Sequence, residues 1–149
     1  MNLLNLRLLF ITADPEVARY VLSQGIDRIF IDLEIIGKTD RQGHLDTVIS
    51  RHKFEDISAL RPLLPPGALL VRLNPIHQGT EDEVDNAIQR GADTLMLPMF
   101  RTPADVRRFC RAVNLRARVC LLIETIDAMN NLSECLKIPG INEVHIGLN

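Results

Sequence analysis

At 149 residues, 46% of them hydrophobic and 24% charged, the chain is long enough for one domain with a sizeable core and too apolar to be disordered. Its 17 basic and 19 acidic residues leave a net charge of −2, with neither sign gathered into a long run, so no nucleic-acid backbone and no anionic membrane surface is indicated as a partner. Aromatic residues make up only 4% and tryptophan is absent, which argues against a stacking platform for single-stranded nucleic acid.

The first predicted element is an extended apolar stretch at residues 6–12. Arg7 interrupts the apolar N-terminus, no small-residue cleavage site follows, and no run in the chain is long enough to span a bilayer. The stretch therefore reads as a strand rather than a signal peptide. Asp14-Pro15 supplies an N-cap followed by proline at the first helical position, predicting a helix to about Ser23 that Gly25 closes. Residues 28–33, RIFIDL, form the second strand. A polar loop at 34–53 is longer than most connections in compact domains, and loops of that length are commonly functional.

A helix is predicted within residues 54–64, stopped by Pro65-Pro66-Gly67. The third strand is 68–73, and a helix over 80–90 carries a capping-box pattern with Thr80 as cap and Glu83 three residues on. A short strand at 94–97 precedes a helix that Thr102-Pro103 opens and that runs to about Asn114. Residues 117–123 form a fifth strand whose unbroken apolar run from Val119 implies burial on both faces. A helix near 127–136 and a sixth strand at 143–146 complete the order. Cys110, Cys120 and Cys135 are odd in number and lack C-x-x-C spacing, so they outline neither a disulfide framework nor a zinc site, and a reducing cytoplasm is the simplest home.

Alternation of strand and helix implies parallel strands with right-handed crossovers, in either a doubly wound open sheet or a (β/α)₈ barrel. The segment after the first strand, ITADPEVA, has no glycine, and a Walker A loop is absent, which favours the barrel. Six strands cannot close a barrel of the usual size of about 250 residues. Residues 1–149 are therefore expected to be a single barrel domain of class α/β, truncated after about six strands and incomplete at the C-terminus.

The polar residues fall at the strand exits. Asp32 and Glu34 follow strand two, Arg72 and Asn74 strand three, Pro98-Met99 strand four, Glu124 strand five and Asn149 strand six. In a parallel barrel these exits open on one face, where barrel enzymes place their chemistry. A hard oxygen ligand such as Glu124 suits Mg²⁺ or Mn²⁺, and a fixed guanidinium at Arg72 suits a carboxylate or a developing enolate oxygen. Plainer roles stand beside these: Glu124 as a helix cap or an ion-pair partner, Arg72 as a bridge to Asp32 or Glu34, and Asn74-Pro75 as a turn. Among the histidines, His145 reads as structural and His77 as a loop residue. His44 and His52 lie in the long loop, within reach of the site as a general base or solvated at the surface.

Together the segments IDLE at 31–34, VRLNP at 71–75, GADTLMLPMF at 91–100, LIETIDAMNNL at 122–132 and GINEVHIGLN at 140–149 resemble the HpcH/HpaI aldolase and citrate lyase family. The resemblance implies a (β/α)₈ barrel of the phosphoenolpyruvate/pyruvate type, usually oligomeric. It further implies a divalent-metal-dependent lyase acting on a C–C bond next to an enolate, in a small-molecule 2-oxo acid or acyl-thioester. By the same resemblance Glu124 is a metal ligand for Mg²⁺ or Mn²⁺, Arg72 holds the substrate oxygen and stabilises the enolate, and Asp32 and Glu34 support them or orient a base. The second metal carboxylate would be an Asp directly after Asn149.

One departure concerns the base. Pyruvate-type aldolases of the family usually carry a Glu-His pair after strand two, whereas Glu34 here is followed by Ile35, as in the lyase and capsule-locus-like branches. That leaves the base unassigned, with His44 as a candidate. Two rival readings are a non-catalytic barrel fragment that needs a partner chain or self-association, and a phosphoenolpyruvate-handling barrel whose extra phosphate loop these residues do not supply.

Overall fold

The structure, a computed structural model, describes residues 7–37 and 51–147. Its six strands are β1 (Leu9–Ile11), β2 (Arg28–Asp32), β3 (Leu69–Arg72), β4 (Thr94–Leu97), β5 (Arg118–Ile123) and β6 (Ile141–Ile146). They form one sheet in sequence order, and every neighbouring pair is parallel. The helices on its outside are α1 (Pro15–Ser23), α2 (Phe54–Leu60), α3 (Thr80–Gln89), α4 (Pro103–Val113), α5 (Ile126–Asn130) and α6 (Leu132–Cys135).

Period-two alternation along the strands sorts the side chains into two clusters. Ile29, Ile31, Val71, Leu95, Leu97, Leu121 and Ile123 point outward and pack with Ile57, Val84, Val106 and Phe109 of the helices. Phe30, Leu70, Met96, Cys120 and Leu122 point inward and form a smaller cluster. The sheet curls around that inner face far enough for Arg28 on β2 to reach Glu143 on β6, with Nη1 2.8 and 3.0 Å from the two carboxylate oxygens. Six parallel strands thus form part of a barrel wall. Cys120 behaves as the core residue its run implies, because burial first, and the nearby Glu143 charge second, push its thiol up to about 12.

Several local expectations hold. Asp14 caps α1 by accepting from the Glu16 and Val17 N–H groups at 2.8 and 3.2 Å. Thr102 and Asp105 form a reciprocal capping box on α4, and left-handed Asn114 ends that helix.

Others differ. The helix predicted within residues 54–64 tightens after Leu60 into a 3₁₀ turn at Arg61–Leu63, where Pro62 lacks the N–H that would continue the α ladder. The capping box expected at Thr80 does not form. Thr80 is already helical, and its hydroxyl accepts from the His77 N–H at 2.9 Å and donates to the His77 carbonyl at 3.0 Å. Glu83, freed from capping, turns to Asn74.

The helix expected near residues 127–136 is two short helices broken at Asn131, whose side-chain N–H₂ donates to the Arg101 and Asp127 carbonyls at 2.9 and 3.0 Å. Strand β6 begins at Ile141, earlier than its sequence pattern indicates, because a bulge opposite Val119/Cys120 lets Asn142 Oδ1 accept the Val119 N–H at 2.7 Å.

Candidate active-site mouth

The C-terminal ends of β2 and β3 build the first half of the site. Parallel register sets Asp32 directly beside Arg72, so the pairing follows from the sheet itself. Arg72 donates from Nε to Asp32 Oδ1 at 2.9 Å and from Nη2 to Oδ2 at 2.8 Å, a two-pronged contact. Glu34 Oε2 lies 3.4 Å from the same Nε, and the guanidinium sits 5.6 Å from the Phe30 ring centroid. Asp32 and Glu34 are each only 3% exposed, and the Glu34 N–H donates to Asp32 Oδ1 at 3.1 Å.

Burial by itself would lower the proton affinity of Arg72. The hydrogen bond to Asp32 and the charges of Asp32, Glu34 and Glu124 outweigh it and hold the value above its ordinary level. Arg72 is therefore the bridge to Asp32 that the sequence left open. Its Nη1 makes no hydrogen bond among the described residues.

Asn74 does not face the site. Its Oδ1 accepts from the Ile35 and Ile36 N–H groups, both at 2.9 Å, and its Nδ2 donates to Glu83 Oε1 at 2.5 Å. The side chain pins the segment after Glu34 to the first turn of α3, which is more than a turn signal.

His52 reaches the β2 exit, where its Nδ1 accepts the Asp32 N–H at 3.0 Å. An accepting Nδ1 assigns the neutral ring's proton to Nε2. His44 lies outside the described residues. His77 packs at the start of α3, its Nδ1 3.1 Å from the Pro75 carbonyl. His145 is exposed on β6, in register with Leu122.

The exits of β4 and β5 build the second half. Glu124 Oε1 accepts the backbone N–H of Met99 at 3.0 Å. Thr125, not Glu124, caps α5: its hydroxyl accepts from the Ala128 N–H and donates to the Phe100 carbonyl, each at 3.0 Å. Among the described residues Glu124 forms no ion pair with Lys or Arg. A Cβ at Gly147 would stand 3.1 Å from Glu124 Cβ and 3.7 Å from Oε2, so glycine lets the chain at the end of β6 pass close against the Glu124 side chain.

Asp32, Glu34 and Glu124 bring three carboxylates to the mouth around Arg72, and the second oxygen of Glu124 makes no hydrogen bond among the described residues. The donor chemistry fits a Mg²⁺- or Mn²⁺-type cation as one ligand of its set. Among the described residues, no group of three or more His, Cys, Asp or Glu could hold a metal by itself. Sequence reasoning missed the Met99 N–H and Gly147. The only signals for them were the Pro-Met step at a strand exit and a glycine ending β6.

A family model, HpcH/HpaI aldolase/citrate lyase, matches residues 7–149. The chain belongs to the HpcH/HpaI aldolase/citrate lyase family. Solved structures carry the same fold. The HpcH/HpaI aldolase from Desulfitobacterium hafniense DCB-2 superposes with a TM-score of 0.72 at 16% identity, over 95% of this chain and 62% of that one. An HpcH/HpaI aldolase/citrate lyase family protein from Burkholderia cenocepacia J2315 gives 0.70 at 18% identity, over 94% and 62%. The citrate synthase SbnG gives 0.69 at 14% identity, over 95% and 60%. The chain thus spans about three-fifths of the length of these solved structures. No curated protein sequence matches it significantly. Among the described residues no helix is long and apolar enough to cross a membrane.

Proposed function

We propose that the chain carries the substrate mouth of a C–C lyase, one that breaks or makes the bond next to the enolate of a 2-oxo acid or acyl-thioester. The observation that supports this most is Arg72, locked by Asp32 at 2.9 and 2.8 Å on the mouth it shares with Glu124. Glu124 would hold a divalent cation, Mg²⁺ or Mn²⁺, which supplies Lewis-acid polarisation of the substrate's carbonyl.

Asp32 fixes the plane of the Arg72 guanidinium and leaves Nη1 to meet the substrate oxygen on which charge builds as the bond breaks. Because Arg72 is already oriented, little reorganisation accompanies that charge development. Glu34 adds negative charge beside the guanidinium, its Oε2 3.4 Å from Nε. Proton transfer to the enolate carbon is assigned to the segment between β2 and α2, with His44 as a candidate; His52 is anchored at the mouth through the Asp32 N–H.

The test is turnover of 2-oxo-acid aldol adducts by the full-length protein with added Mg²⁺ or Mn²⁺. Arg72→Lys, which cannot keep the two-pronged contact, is expected to lower kcat by roughly a hundredfold or more. Full turnover by Glu124→Ala would sink the ligand assignment.

The exposed edge strands favour a second reading for this 149-residue segment taken alone. Phe10 and Ile11 on β1 and Val144 and Ile146 on β6 are 39%, 49%, 44% and 66% exposed. Apolar edges of this kind call for a covering chain, so the isolated segment is read as non-catalytic and self-associating. Light scattering on the segment checks this; a folded, soluble monomer would contradict it.

A further inference from the structure

Met99 has a backbone φ of 51°, in the left-handed region that a side-chain-bearing residue rarely occupies. Its neighbours show why it stays there. Pro98 fixes the residue before it, and Phe100, 1% exposed, anchors the residue after it in the core. The Phe100 carbonyl accepts from Thr125 at 3.0 Å while the Met99 N–H donates to Glu124 at 3.0 Å. Two successive residues at the β5 exit thus clamp two successive residues at the β4 exit. The left-handed φ lets the chain turn between Pro98 and the buried Phe100 so that the Met99 N–H and the Phe100 carbonyl both face the β5 exit. Strained backbone conformations of this kind concentrate where a structure must hold a functional group in one pose.

We infer that Met99 is the positioning residue of the metal-ligand candidate. Its N–H, held in the clamp by the left-handed turn of its backbone, donates to Glu124 Oε1, fixes the carboxylate's orientation, and leaves Oε2, beside Gly147, as the coordinating oxygen. This inference rests on the reading of Glu124 as a metal ligand. Partners that orient a ligand typically change metal affinity by ten- to a hundredfold when removed.

The test uses the full-length protein without substrate and reads Mn²⁺ affinity by calorimetry. Met99→Gly reaches the left-handed region freely and keeps the N–H, so it is expected to retain wild-type affinity. Met99→Val, whose branched Cβ resists that region, is expected to weaken Mn²⁺ binding by roughly tenfold. A folded Met99→Val protein that binds Mn²⁺ as the wild type does would overturn the proposal.

Should Met99→Val fail to fold, the amide signal of Met99 in ¹⁵N-methionine-labelled wild type gives the same decision. It is expected to shift on Mg²⁺ addition and to move upfield in Glu124→Gln; an amide indifferent to both overturns the positioning role. If instead Glu124→Gln binds Mn²⁺ as tightly as wild type, the ligand assignment itself fails and the positioning role falls with it. The two failures are thereby distinct.

Discussion

Asp32 and Arg72 form a two-pronged contact at the mouth, and at 3% and 17% side-chain exposure the pair is largely shielded from water. Removing one member of such a pair leaves the other's charge without its partner. Asp32→Asn is accordingly expected to cost about 2–3 kcal/mol in denaturant titrations. A loss below about 0.5 kcal/mol would show that Glu34 alone can satisfy the guanidinium. Gly147 is the second sensitive position. In Gly147→Ala the new Cβ meets Glu124 Cβ at 3.1 Å, so the Glu124 side chain must give by a few tenths of an ångström. Weaker Mn²⁺ binding with little change in Tm is the expected outcome. Unchanged binding would mean that Glu124 tolerates the crowding.

Among the elements, α3 and α4 are joined by Arg108, which donates to both Glu81 oxygens at 2.8 Å and to the His77 carbonyl at 2.8 Å. The hydrogen bond from Arg108 holds the Glu81 carboxyl well below its ordinary 4.5, at about 2. A folded-state value lower than the unfolded one means this contribution is complete above pH 4.5 and is lost as pH falls towards 2. Glu81→Gln is therefore expected to flatten the acid limb of Tm against pH in that window. An unchanged limb would show that solvent screens the pair completely. Thr125→Ala is expected to cost about 1 kcal/mol or more, since one hydroxyl both caps α5 and holds the β4 exit, while Thr125→Ser stays near wild type.

Much of this scale was legible in the sequence, because strand alternation and caps are local signals. Asp32, Arg72 and Glu124 could be placed at strand exits from hydrophobic runs alone, and Thr125 was readable as a cap. The Thr80 box was misread because Glu83 has a competing tertiary partner, Asn74, that no local pattern reveals. Pro98-Met99 was placed at the β4 exit, but the part Met99 plays there was missed because it is a backbone N–H, which every residue except proline carries, and only its φ makes it special. His52 was placed within reach of the site, but its bond to the Asp32 N–H depends on how a long loop returns to the sheet. His44 lies outside the described residues.

Across the whole molecule, six sequential parallel strands bring the β2, β3, β4 and β5 exits to one face. The fold thereby gathers residues up to 92 positions apart, Asp32 and Glu124, into one electrostatic unit around Arg72. The central claim is that Glu124 and Arg72 act as two halves of one enolate-binding site. Oxalate, a planar mimic of the enolate of pyruvate, tests it directly by calorimetry on the full-length protein. The account predicts oxalate binding that requires Mg²⁺ in wild type, is lost with the metal in Glu124→Gln, and is weakened in Arg72→Lys while Mg²⁺ still binds. Oxalate binding that ignores Mg²⁺ and survives both substitutions would contradict it.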